Sequence, residues 1–251
     1  MASFEVKKIS GELPSAVSRD SRAVSPCAGC TVRHLTLCAA LDEREVADMA
    51  VIMTSVELGP GDPLFDEGEP AKHVFNVTAG AIKIYKLLAD GRRQMTGFLF
   101  PGDFLGLAND DNYAYSAEAV TYSTLCRFPR VKLEPLLERY PKMEHRLLGM
   151  ASHELAVAQE QMLLLGRKNA REKVASFLLM LSRRAEQRGQ PSNPISVPMS
   201  RNDIGDFLGL TTETVSRTIT QLKSSGAISL LSNGKIDLLD RAAMESASEG
   251  Y

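Results

Sequence analysis

The stretch CAGCTVRHLTLC, residues 27–38, gathers three of the four cysteines of a 251-residue chain into twelve positions. Thiols this close together serve as metal ligands, act as a nucleophile or pair as disulfides. The opening 20 residues carry no continuous apolar core of a secretory leader, and nowhere does the chain approach the ~18–20 consecutive apolar residues that span a bilayer. This predicts a cytoplasmic protein with no membrane partner. In a reducing compartment, clustered cysteines bind metal or do catalysis rather than form disulfides. Cys27, Cys30, His34 and Cys38 could make a Cys3His zinc site, although their spacing is tighter than the common zinc-finger templates. His34, four residues before Cys38, could also activate that thiol, but no third group stands ready to orient the imidazole. A solvated or packing role for His34 is the plainer reading. No other catalytic constellation emerges, so the chain does not read as an enzyme.

The elements that must position these residues show in the patterning. The length suits two folded units and a connector, and 44% hydrophobic residues are enough for real cores. Between residues 50 and 128, short apolar runs such as HVFNVTAG, AIKIYKLL and QMTGFLF alternate with glycine-containing turns, as in an all-β sandwich or barrel. Asp90-Gly91 suits the positive φ of a tight hairpin. Pro141 suits the first turn of a helix. Beyond it Leu148, Ala151, Leu155, Ala158, Met162 and Leu165 are spaced 3, 4, 3, 4, 3. So narrow a seam suits the pairing of two helices, and a core helix lying on its own domain is the other reading.

Residues 199–239 read as a helix-turn-helix followed by a hairpin. Ser200 caps a first helix with Asp203 in its first turn, and Gly209 ends it. Thr211 caps a second helix that Gly226 closes, and Asn233-Gly234 turns the hairpin, or wing. Ile204, Leu208, Val215, Ile219 and Leu222 face inward, leaving Thr212, Glu213, Ser216, Arg217 and Thr220 outward on the second helix. Arg217 can reach guanine with two hydrogen bonds, Glu213 can accept from the cytosine amino group, and Ser216 can serve either way. The formal net charge is −2, yet residues 167–223 hold ten Lys or Arg against five Asp or Glu. That local excess suits the phosphates of double-stranded DNA.

Through these motifs the chain resembles the Crp/Fnr superfamily of transcriptional regulators over roughly residues 27–240. Within it, TTETVSRT, MLLLGRKNAREKVASFL and LSRRAEQRG are similar to the oxygen-sensing fumarate and nitrate reduction regulator branch. The resemblance implies an α+β fold with an N-terminal cyclic-nucleotide-binding-like β-roll (a double-stranded β-helix), a long dimerisation helix and a C-terminal winged helix-turn-helix. It implies that Cys27, Cys30, Cys38 and the distant Cys126 hold a [4Fe-4S] cluster. Taken by itself, Cys126 would read as a small core hydrophobe. It also implies a homodimer reading TTGAT-type palindromes, an activator role with RNA polymerase as a partner, and the LLADGRRQ hairpin as one contact. The Glu and Arg that hold cyclic AMP in related β-rolls fall at Leu107 and Tyr115, so no cyclic nucleotide is expected. Ala158 stands where the branch's prototype has an Asp on the seam, and Glu154 and Glu160 flank it. The layout expected is a flexible arm over 1–26, a sensor unit over 27–140, a dimerisation helix over 141–168, a winged helix-turn-helix over 169–240 and a tail over 241–251.

Overall fold

The computed structural model describes Cys27, residues 29–107 and residues 111–250. The arm expected over residues 1–26 lies outside the described residues.

After the cysteine segment, Asp42 caps helix α1 (Glu43–Ile52) by accepting from the backbone N–H groups of Arg44 and Glu45, and Glu45 accepts the Asp42 N–H in return. Eight strands follow: β1 (Thr54–Leu58), β2 (Pro63–Phe65), β3 (His73–Ala79), β4 (Ile82–Leu87), β5 (Arg93–Leu99), β6 (Phe104–Leu105), β7 (Ser116–Ala119) and β8 (Ser123–Pro129). They form two four-stranded antiparallel sheets, ordered β1-β8-β3-β6 and β2-β7-β4-β5, with Phe65, Phe75, Val77, Ile82, Leu99 and Leu125 buried among the strands. The hairpin between β4 and β5 turns at Gly91 with φ of 82°, as the Asp-Gly pair requires. In the first sheet Cys126 of β8 lies directly opposite Ser55 of β1 on one side and Asn76 of β3 on the other. Directly opposed residues project from the same face of a sheet, so these three side chains form one row.

Helix α2 (Arg130–Arg139) leads into α3 (Pro141–Arg167). A helix of 27 residues is roughly 40 Å long. It buries only Met143 among its own residues, and Leu148, Leu155 and Met162 of the seam stay 65%, 61% and 64% exposed. Ala158 is exposed too, whereas Ala151 and Leu165 are part-covered.

The C-terminal unit is built from α4 (Ala170–Gln187), β9 (Ile195–Ser196), α5 (Arg201–Leu208), α6 (Thr212–Ser224), β10 (Ile228–Leu230), β11 (Lys235–Leu238) and α7 (Arg241–Glu249). Ser200 and Asp203 cap α5 reciprocally, Gly209 ends it at φ of 62°, and Thr211 caps α6 through the Thr214 N–H. Asn233 and Gly234, at φ of 61° and 69°, turn the wing, whose sheet runs β10-β11-β9. Residues 241–249, expected as part of a tail, form a helix instead, capped by Asp240 and packed on α4 with Met244 and Ala247 buried.

This unit does not hang from a free connector. One continuous core joins Met95, Phe98 and Phe100 of the β-domain to Phe177, Leu178, Phe207 and Leu208, with the Phe98 and Phe207 rings 5.2 Å apart. Across the same seam Lys83 bridges Glu118 at 2.8 Å and Asp203 at 3.2 Å, and Gln94 donates to the Asp206 carbonyl. Among the described residues no helix is long and apolar enough to cross a membrane.

Candidate metal centre and nucleic-acid interface

The cysteine segment has little regular structure and is held by anchors. Tight turns carry the chain from Cys27 to Thr36, and a short 3-10 turn, Leu37–Ala40, follows with Leu37 fully buried. Arg146 of α3 donates to three successive carbonyls of the segment, those of Thr36 at 2.6 Å, Leu35 at 2.9 Å and His34 at 3.1 Å. Leu35 packs on Gly102, where an added Cβ would sit 2.6 Å from the Leu35 Cβ and where φ is +103°. Nothing local in the sequence marks Arg146 or Gly102 as anchors; both act through contacts distant along the chain.

So held, Cys27, Cys30 and Cys38 line a cavity of about 360 Å³ together with Cys126, Ser55 and Asn76. None of the four is in a disulfide. Burial pushes the Cys126 thiol up to about 12, and the neighbouring Cys30, Cys27 and Cys38 push it in the same direction. Burial likewise raises Cys38 to about 11, against a lowering hydrogen bond from Thr36. The protein alone therefore keeps Cys38 and Cys126 protonated, and a cationic group is needed to hold these two as thiolates.

The donor set fits a [4Fe-4S] cluster: four thiols, its usual ligands, ring a space far larger than one ion occupies. A single zinc ion would draw its ligands to ~2.0–2.3 Å. Among the described residues, no three His, Cys, Asp or Glu side chains are gathered so as to hold one metal ion. The Cys3His arrangement is not assembled: His34 is exposed and does not line the cavity.

A second cavity, of about 740 Å³, lies between the β-domain, α3 and α4. Leu107 and Tyr115 line it, Leu107 being 44% exposed and the Tyr115 hydroxyl accepting from the Gly106 N–H at 3.2 Å. Residues 108–110, between them, lie outside the described residues. The arginines that line this cavity come from α3 and α4, and Arg184 is already paired with Asp103 at 2.6 Å. Glu154, expected beside the seam, lines the same cavity within its own protomer.

On α6, Val215, Ile219 and Leu222 are buried, and Thr212, Glu213, Ser216, Arg217 and Thr220 are exposed. Ser216 and Thr220 donate to the carbonyls four residues back, which leaves their oxygens free to accept. No ion pair joins Glu213 to Arg217 among the described residues. The basic excess of residues 167–223 is only partly outward. Lys173 is buried, Arg184 is paired with Asp103, and Arg188 stacks on Phe100 at 4.6 Å. Arg167, Arg171, Arg183, Arg217 and Lys223 remain exposed.

The chain matches the cyclic nucleotide-binding domain family over residues 55–140 and the Crp-like helix-turn-helix domain family over residues 172–247. It is 40% identical over 220 residues to the nitrogen fixation regulation protein FixK of Bradyrhizobium diazoefficiens, covering 88% of this chain and 92% of that one. It is 36% identical to the transcriptional activator protein FnrL of Cereibacter sphaeroides, covering 87% and 90% of the two chains. Against the transcriptional activator protein Anr of Pseudomonas aeruginosa the identity is 35%, with 81% and 84% covered. The structure of FixK2 from Bradyrhizobium japonicum superposes with a TM-score of 0.73 at 38% identity, covering 78% of this chain and 97% of that one. By its two domains and by these full-length relatives, the chain belongs to the Crp/Fnr family of DNA-binding transcription regulators, and it is not an enzyme.

Proposed function

We propose that this regulator senses oxygen through a [4Fe-4S] cluster held by Cys27, Cys30, Cys38 and Cys126, and that under low oxygen it binds TTGAT-type palindromes as a cytoplasmic homodimer. The observation that carries this reading is the shared cavity: four cysteines, one of them 88 positions beyond its nearest partner, line it while His34 stands outside.

When bound, the cluster supplies an oxygen-labile tie among the four thiolates. The chain's own residues relay the state of that tie. The three hydrogen bonds from Arg146 fasten the cysteine segment to α3, so ordering the segment orders the first turns of that helix. The exposed Leu148, Leu155, Ala158 and Met162 of α3 then pack on a second copy, because a long helix that buries almost nothing of its own needs a partner. Pairing sets two α6 helices to enter successive major grooves ~34–36 Å apart. Thr212, Glu213, Ser216 and Arg217 contact the half-site, with Arg217 and Glu213 on its G·C pair. Ala158 places no charge on the seam, so the cluster-free protein dimerises more readily than a chain with an acidic residue there.

Cyclic nucleotide is not the signal, since Leu107 and Tyr115 offer no carboxylate for a ribose and no cation for a phosphate. The words "transcriptional activator" in the names of FnrL and Anr support activation. RNA polymerase is then the partner, and Leu87 and Leu88, exposed at the hairpin between β4 and β5, suit such a contact.

The test is a titration of protein prepared without air against a TTGAT palindrome, before and after exposure to air, with the mass of the species followed in parallel. Tight binding by a dimer that weakens as air converts it towards monomer is expected. Equal affinity in the two states contradicts the proposal.

A further inference from the structure

Asn76 is 1% exposed, yet its side-chain Oδ1 has no hydrogen-bond partner. A buried amide left unpaired is costly and uncommon, so the position calls for a cause. Its surroundings are otherwise well satisfied: Thr78, two residues along the same strand, bonds the Thr124 carbonyl at 2.8 Å and the Thr124 hydroxyl at 2.7 Å. What sets Asn76 apart is its address. It sits opposite Cys126 on the same face of the sheet and lines the cavity that all four cysteines line. A half-turn of the amide exchanges its oxygen for its NH2 group, so the side chain can offer either an acceptor or a donor to that space.

We propose that Asn76 donates an N–H hydrogen bond to sulfur at the metal centre, either the Cys126 thiolate or an inorganic sulfide, and so raises the reduction potential of the cluster. This rests on the cluster reading above. Hydrogen bonds to the sulfurs are among the factors that set the potential of such a centre, because a donor stabilises the state with more negative charge. Asn76 is a tuning residue and not a ligand: turned so that its NH2 takes the place of the unpaired oxygen, the amide has a donor there for sulfur in the cavity.

The full-length protein, reconstituted with iron and sulfide without air, is compared with Asn76→Leu and Asn76→Val, neither of which carries a donor or a charge. The cluster-bearing variants should show a more negative midpoint potential than wild type. In the cluster-free state Asn76→Leu should melt at the same temperature as wild type or higher, since it removes an unpaired group. An ordinary structural asparagine would give the opposite, a lower melting temperature without the cluster and an unshifted potential with it, and either result overturns the proposal. Loss of the cluster from both variants with unchanged cluster-free melting would make Asn76 necessary for holding the cluster and overturns a role confined to tuning. Wild-type protein that takes up no iron and sulfide overturns the cluster reading and this inference together, whereas a wild-type cluster with unshifted variants overturns the role of Asn76 alone.

Discussion

The DNA-reading unit and the cysteine cavity differ in how far the polypeptide satisfies its own groups. In the reading unit, α4, α5, α6 and α7 each have a side-chain cap, and Phe177, Leu208, Val215, Ile219 and Leu222 close a core around them. Around the cavity, four cysteines outside any disulfide come together, two with strongly raised pKa, an asparagine oxygen is unpaired, and the segment carrying three of the thiols relies on Arg146 and Leu35 to stay docked. The first region closes its own caps around a core that it shares with the β-domain; the second leaves raised thiols that the proposed cluster would hold. On the proposed function this division suits a switch, because a well-packed reader can be repositioned by a sensor whose order depends on a ligand.

Substitutions sharpen the contrast, and the largest effect belongs to the well-packed region. Leu222→Ala, in a fully buried site of α6, should cost about 2–5 kcal/mol of stability in denaturant unfolding. A loss under ~1 kcal/mol would mean that this core is looser than its burial indicates. Arg217→Ala should cost about 1–3 kcal/mol on the palindrome and flatten discrimination at the G·C pair, measured by titration at fixed salt without air. Equal weakening on all duplexes would leave Arg217 only a phosphate contact. Arg146→Ala should keep the iron content but shrink the ratio of DNA affinities before and after air, on the order of fivefold. An unchanged ratio would remove Arg146 from the link between the two regions. Smallest of all, Leu155→Ala, 61% exposed, should leave unfolding of the isolated protomer within about 0.5 kcal/mol while lowering dimer affinity seen by sedimentation.

Much of the reading unit was legible because its signals are local. Ser200, Gly209, Thr211, Gly226 and the Asn233-Gly234 turn all occupy the roles that their types and spacing announce. Helix α3 begins at Pro141 for the same reason. Helix α7 escaped notice because nine residues with buried positions only three apart, Met244 and Ala247, make a weak periodic signal. Helix α1 carried a readable cue in Asp42 and Glu45, which form a capping box. The basic excess around α4 overstated the outward charge, since Lys173 is buried and Arg184 pairs with Asp103 across a domain contact that no local pattern encodes. The cavity was half legible: cysteines announce ligand chemistry by type, but Ser55 and Asn76 join it only through strand register, and Arg146 reaches the cysteine segment only through helix packing.

The central claim is that the four cysteines, and not His34, make one metal centre. Iron, acid-labile sulfide and zinc should be measured in protein purified without air, for wild type, Cys126→Ser and His34→Ala. The account predicts about four irons and four sulfides per chain in wild type and His34→Ala, and their loss in Cys126→Ser. A single zinc per chain that survives Cys126→Ser and disappears in His34→Ala would contradict it.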